Sequence, residues 1–197
     1  MKVIGLVGGI GSGKSTVIAQ MNEIMPINSI CADVIGHEIL KKENRGYAPV
    51  LTAFGEDILD ETGEISRKKL AAKVFGHPER LVLLNHITHP LITQVIEEKI
   101  ETFKNQQPNK HITLEAALLV ESGLTRLTDV IIAVYANVDL RIKRVVERDK
   151  VDIKQVKARI DAQKDWEELK KAADYIIDTG ISPQETKRQI QEILSLL

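Results

Sequence analysis

The chain has 197 residues, 43% of them hydrophobic and 28% charged, which suits one domain with a substantial core. Its 27 Lys and Arg nearly balance 28 Asp and Glu, for a formal net charge of −1, so bulk attraction to nucleic acid or membrane is not expected. The single cysteine, Cys31, excludes an internal disulfide and fits a reducing compartment. No apolar run approaches the roughly 18 residues needed to span a bilayer. Met1-Lys2-Val3-Ile4 leads straight into a predicted strand without a signal-peptide cleavage pattern, so a cytoplasmic location is expected.

In chain order, the apolar run Val3-Ile4-Gly5-Leu6-Val7 reads as a buried strand. Gly8-Gly9-Ile10-Gly11-Ser12-Gly13-Lys14-Ser15 follows and fills every fixed position of G-x-x-x-x-G-K-[ST]. From Thr16 to Met25, apolar residues at 17, 18, 21, 24 and 25 keep helical spacing. Strand, glycine loop and helix is the context in which this motif wraps a phosphate chain. Successive backbone N–H groups converge on the oxygens there, and the positive end of the helix adds to the field. Gly9, Gly11, Ser12, Gly13, Lys14, Ser15 and Thr16 are therefore the candidate nucleotide-binding residues. Lys14 is placed to reach the outer phosphates, and the Ser15 hydroxyl to hold Mg²⁺.

A second strand is predicted over Ile27–Ala32, with Asp33 at its carboxyl end. A carboxylate there can take the proton of an attacking hydroxyl. It can equally cap a helix beginning at Val34. Helical patterns then run over Arg67–Phe75, Glu79–Ile87 and Pro90–Gln106, more than one crossover needs, which argues for a helical insertion that binds substrate. His86 and His89 are spaced i, i+3, but no further ligand cluster makes them a zinc site.

His111–Leu114 reads as the third strand, and Glu115 beyond it faces substrate or metal, or caps a helix. Asp129–Ala136 reads as the fourth strand. The segment Val138–Lys171 is dense in charged residues, reads as a helix pair and is expected to project from the body, with a helix start at Asp152. Arg141, Arg144 and Arg148 share one helical face at i, i+3 and i+7, with Arg159 on the next helix. Such a face either neutralises charge on a transferring phosphate or is a solvated surface paired with Glu147 and Asp149. Trp166 is expected to anchor packing at a helix end. Tyr175–Asp178 is the fifth strand, and Ser182, Pro183 and Glu185 mark the start of a last helix with a capping box. Strands alternating with helical patterns predict an α/β fold whose parallel sheet carries helices on both faces.

Together these residues resemble the dephospho-coenzyme A kinase family. The likeness runs through Gly5–Thr16, Ala32-Asp33, Phe54-Gly55, Gly63–Leu70, Val74-Phe75, Ile87–Ile92, Leu118–Glu121, Arg144–Asp149, Arg159–Gln163 and Ala173–Ile177. The phosphate loop is common to many kinases, whereas His89-Pro90 and Arg159–Gln163 are far more specific. The resemblance implies a P-loop kinase core with a parallel five-stranded sheet flanked by helices (1–33, 107–137 and 172–197). It also implies a helical coenzyme A-binding insertion (34–106) and a small helical lid (138–171). It implies transfer of the γ-phosphate of ATP, with Mg²⁺, to the ribose 3′-hydroxyl of dephospho-coenzyme A. Asp33, Lys14 and Arg144 are the catalytic candidates, Asp33 matching the family's proposed base. His89, Leu118 and Glu121 are further substrate-binding candidates, and Arg141 and Arg148 join Arg144 as lid contacts to phosphate. No nucleic acid, membrane or obligate protein partner is implied. The chain departs from the family pattern at Cys31, His37, Arg141 and Asp178-Thr179-Gly180.

Two other readings compete. A different small P-loop kinase would lack the Arg159–Gln163 stretch. A GTP-dependent switch would carry Asn-Lys-x-Asp, and the Asn109-Lys110 pair continues to His111-Ile112 instead.

Overall fold

The computed structural model describes residues 1–116, 119–163 and 165–197. The chain packs as two compact units, Met1–Cys31 with Ile100–Leu197, and Ala32–Lys99.

The first unit holds a five-stranded, all-parallel sheet: β1 (Val3–Val7), β2 (Ile27–Cys31), β3 (His111–Glu115), β4 (Val130–Tyr135) and β5 (Tyr175–Asp178). The strand order is β2-β3-β1-β4-β5. β1 is central, pairing Ile4 with Thr113 on one side and with Val130 on the other. All five of its residues are buried, which is why it reads as a continuous apolar run rather than an alternating one. The order reverses at β1, so the loop leaving its carboxyl end opens at the switch point where ligands of such sheets bind.

α1 (Lys14–Ile24) and α9 (Pro183–Leu194) cover one face of the sheet. Val17, Met21, Ile190 and Ile193 pack with Ile4, Leu6, Ile132, Val134 and Ile177 into one core. Ser182 caps α9 by accepting from the Glu185 N–H at 3.1 Å. The reciprocal half of the expected capping box is replaced, because the Glu185 carboxylate takes Arg188 Nε at 2.9 Å and Nη2 at 2.6 Å.

The charge-rich stretch after β4 forms three helices, not the expected pair: α6 (Val138–Asp149), α7 (Ile153–Asp161) and α8 (Trp166–Ala172). It also buries more apolar surface than its composition suggests, since Val145 and Val156 are fully enclosed. Asp152 opens α7 as expected, accepting from the Lys154 N–H at 2.7 Å.

The second unit contains α2 (Ala32–Glu38), α3 (Tyr47–Phe54), α4 (Arg67–Val74) and residues 78–99 of α5 (Pro78–Gln106). Val50, Phe54, Ile58, Ile65 and Leu70 form its core. Two helices expected on either side of Pro90 are one helix of 29 residues. Proline forfeits a single backbone bond, here to the His86 carbonyl, and the buried Ile96 and Ile100 beyond it hold the helix against that loss.

Candidate active site

Residues 8–13 turn sharply between β1 and α1. Gly11 has φ 78°, and a Cβ on it would lie 2.6 Å from the Arg141 carbonyl, so both its conformation and its surroundings require glycine. The first intrahelical bond of α1 runs from the Val17 N–H to the Gly13 carbonyl at 3.0 Å. The amides of Ser15 and Thr16 therefore have no acceptor within the helix and stand at its positive end.

A cavity of about 440 Å³ opens over this turn, lined by Ile10 to Thr16 together with Glu115, Arg144 and Arg148. The Lys14 ammonium donates to the Gly8 carbonyl at 2.9 Å and lies 3.8 Å from Glu115 Oε1. Glu115 ends β3 beside β1, so sheet register brings its carboxylate to the loop. Of the two sequence readings of Glu115, this placement supports the one in which it faces the ligand edge. The Ser12 hydroxyl, 1% exposed, has no hydrogen-bond partner among the described residues, as suits a loop built round an additional polar group. Exposed Ser15 and neighbouring Glu115 are hard oxygen donors of the type Mg²⁺ takes.

The three arginines of α6 meet different partners although they share a face. Arg144 Nη1 donates to the Gly11 carbonyl at 3.3 Å and to Thr179 Oγ1 at 2.9 Å, and Nη2 to the Thr179 carbonyl at 2.8 Å. Arg148 is bidentate with Asp149, Nε at 2.6 Å and Nη2 at 3.0 Å, and Arg159 lies 3.6 Å from the same carboxylate. Hydrogen bonding to Arg148 holds the Asp149 carboxyl below its ordinary value. Arg141 faces a different cavity of about 160 Å³, lined with Gly9, Ser12, Tyr135 and Trp166 among others. Trp166 opens α8 and packs on Tyr135 with ring centroids 4.7 Å apart, the packing role expected of it.

In the second unit, Asp33 and His89 line one cavity of about 490 Å³ with His37, Arg67, Asn85 and Thr88. α2 begins at Ala32, so Asp33 sits within its first turn and is not the cap of a helix starting at Val34. Its carboxylate is exposed. Glu121 is exposed in the turn after β3, outside the cavity over the phosphate loop. Leu118 lies outside the described residues. Thr179 and Gln163 were not singled out as site residues by sequence, yet both bind the loop, Thr179 Oγ1 at the Ser12 carbonyl (2.7 Å) and Gln163 Oε1 at the Ile10 N–H (2.8 Å). Gln163 lies within a stretch quoted for the family likeness; for Thr179 no local pattern gives a signal.

The dephospho-CoA kinase family model matches residues 2–184. A dephospho-CoA kinase of Bacillus licheniformis is 38% identical over 98% of this chain and 94% of its own length. One of Dehalococcoides mccartyi is 39% identical over 97% and 95%. Among solved structures, the dephospho-CoA kinase of Campylobacter jejuni superimposes with a TM-score of 0.72 at 31% identity, covering 98% of this chain and 95% of that one. Phosphate loop, parallel sheet and full-length likeness agree: the chain belongs to the dephospho-CoA kinase family.

Proposed function

We infer that the chain transfers the γ-phosphate of ATP to the ribose 3′-hydroxyl of dephospho-coenzyme A, giving coenzyme A and ADP, the last step of coenzyme A synthesis. The observation that carries this is the cavity over residues 10–16, with Lys14, Glu115 and Arg144 on its wall, in a chain of this family. Loop amides at the α1 terminus receive the α- and β-phosphates, and Lys14 reaches the outer phosphates by leaving the Gly8 carbonyl. The 3′-oxygen bonds to the γ-phosphorus as the bond to the β–γ bridging oxygen breaks. ADP departs, and the hydroxyl proton passes to the Asp33 carboxylate. Asp33 comes two residues after Cys31, the register partner of Glu115.

Arg144 supplies positive charge against the phosphoryl group as it transfers, and Arg148 lines the same cavity. Mg²⁺, when bound with ATP, neutralises phosphate charge, and Ser15 is the residue suited to hold it. We assign the coenzyme A side to residues 34–106, where His89 shares a cavity with the preceding Asp33, with Leu118 and Glu121 as further contacts. Residues 138–171 serve as the lid. No helix among the described residues is long and apolar enough to cross a membrane. With its lone Cys31 reduced, the enzyme works in the cytoplasm.

Purified protein given Mg²⁺-ATP should convert dephospho-coenzyme A to coenzyme A, seen by mass spectrometry, and leave adenosine and shikimate largely untouched. Folded protein that binds ATP but forms no coenzyme A would falsify this function.

A further inference from the structure

Ile10 lies in the phosphate loop, and both of its backbone polar groups are bound by side chains far away in sequence. Its N–H donates to Gln163 Oε1 at 2.8 Å, and its carbonyl accepts from Arg141 Nε at 2.9 Å. Arg141 Nη2 donates to the same Gln163 oxygen at 3.3 Å, which closes a ring of three residues. Gly9 lies directly against the Arg141 guanidinium, and a Cβ there would overlap Nη2. Arg141 is half-buried, burial draws its pKa down, and among the described residues no carboxylate pairs with it. A half-enclosed cation without a counter-charge is costly, and an anion brought to the neighbouring loop reduces that cost.

We propose that Gln163 is a positioning residue for the nucleotide: with Arg141 it forms a latch on Ile10 whose closure and triphosphate binding stabilise each other. The proposal rests on the reading of residues 8–16 as the ATP site. An amide oxygen suits the task, because it accepts from two donors at once and brings no charge that would repel phosphate. Linkage is reciprocal: if ATP tightens the latch, removing the latch weakens ATP binding by the same factor.

The test is ATP titration followed by the fluorescence of Trp166, the sole tryptophan, which stands three residues beyond Gln163 and packs on Tyr135. Hydrogen exchange of the Ile10 peptide and of α7 is measured in parallel. In the wild type, ATP should slow exchange in both segments. Gln163→Ala should abolish that slowing and raise the Kd for ATP about 10-fold, within the roughly 5–150-fold range of ordinary couplings. The effect should fall on KM for ATP rather than on KM for dephospho-coenzyme A. Gln163→Glu should keep both contacts and neutralise Arg141 from within. Its latch should then be protected without nucleotide, and its ATP affinity should fall; a purely structural strap predicts neither result. Gln163→Ala with wild-type ATP affinity and wild-type ATP-dependent protection overturns the latch. A wild type that binds no ATP overturns the nucleotide reading beneath it.

Discussion

Arg144 donates twice to Thr179, through Nη1 to Oγ1 at 2.9 Å and through Nη2 to the carbonyl at 2.8 Å. The same Thr179 hydroxyl donates to the Ser12 carbonyl at 2.7 Å, so one side chain ties α6 to the phosphate loop. Thr179 is 8% exposed, and its N–H is fixed on the Tyr135 carbonyl at 2.9 Å. Thr179→Val keeps the volume and removes the hydroxyl. It leaves Arg144 Nη1 only its longer bond to the Gly11 carbonyl and takes the Thr179 donor from the Ser12 carbonyl, at about 1.5–3 kcal/mol for a hydrogen bond to a charged group. ATP turnover should fall at least roughly 10-fold, with recovery in Thr179→Ser. Kinetics of the two variants check this, and equal activity in Thr179→Val would remove the tie from the mechanism.

Lys14→Ala should nearly abolish turnover. Its ammonium, on the wall of the cavity, donates to the Gly8 carbonyl and lies 3.8 Å from Glu115, and in the proposed reaction it follows the outer phosphates as they arrive. Ser15→Ala should raise the Mg²⁺ concentration needed for half-maximal rate, because a hard oxygen donor is lost from the cavity wall. A Mg²⁺ titration of initial rates separates the two effects. Wild-type kinetics in both variants would end the assignment of this loop.

The phosphate loop was legible in the sequence because its chemistry demands contiguous residues at fixed spacing. The central strand was legible for a related reason: buried throughout, β1 spells out the continuous apolar run of residues 3–7. The patterns Glu79–Ile87 and Pro90–Gln106 are one helix, because burial of Ile96 and Ile100, which only the tertiary structure supplies, carries it through Pro90. The arginine face of α6 was read correctly as a face, yet periodicity says nothing of what each residue meets. Arg144 turns to the main phosphate cavity and Arg141 to the smaller one. Glu115, Gln163 and Thr179 meet the loop across 101, 153 and 167 residues, from Lys14, Ile10 and Ser12 respectively. Pairings of that range leave no spacing to read.

His111 opens β3 with its Nδ1 buried and without a partner among the described residues. Burial, then the N-terminal amino group and Lys2, draw its pKa below the ordinary 6.5. The unfolded chain therefore binds a proton at higher pH than the folded one. Stability is full above about pH 6.5 and declines as pH falls from there through the depressed folded value. His111→Gln should flatten that part of the stability profile, measured by denaturant unfolding between pH 7.5 and about 5. An unchanged slope would show that His111 does not drive the acid-side loss.

Asp33 carries the sharpest test of the chemistry. It lies in the first turn of α2, exposed, in a cavity that also holds His89 and Arg67. Asp33→Asn keeps the shape and removes the carboxylate proposed to accept the hydroxyl proton. Turnover should fall on the order of 10²–10⁴-fold, the usual worth of general acid–base catalysis. ATP affinity should hardly change, since in the proposed site the loop and Lys14 hold the triphosphate. The structural loss among the described residues is a favourable charge near a helix N-terminus, about 0.3–1 kcal/mol, so folding should survive. Single-turnover rates, ATP titration and thermal unfolding of the one variant distinguish the roles. Slow transfer with intact binding and folding identifies the base, whereas normal transfer with a lowered Tm leaves Asp33 only a helix-end charge.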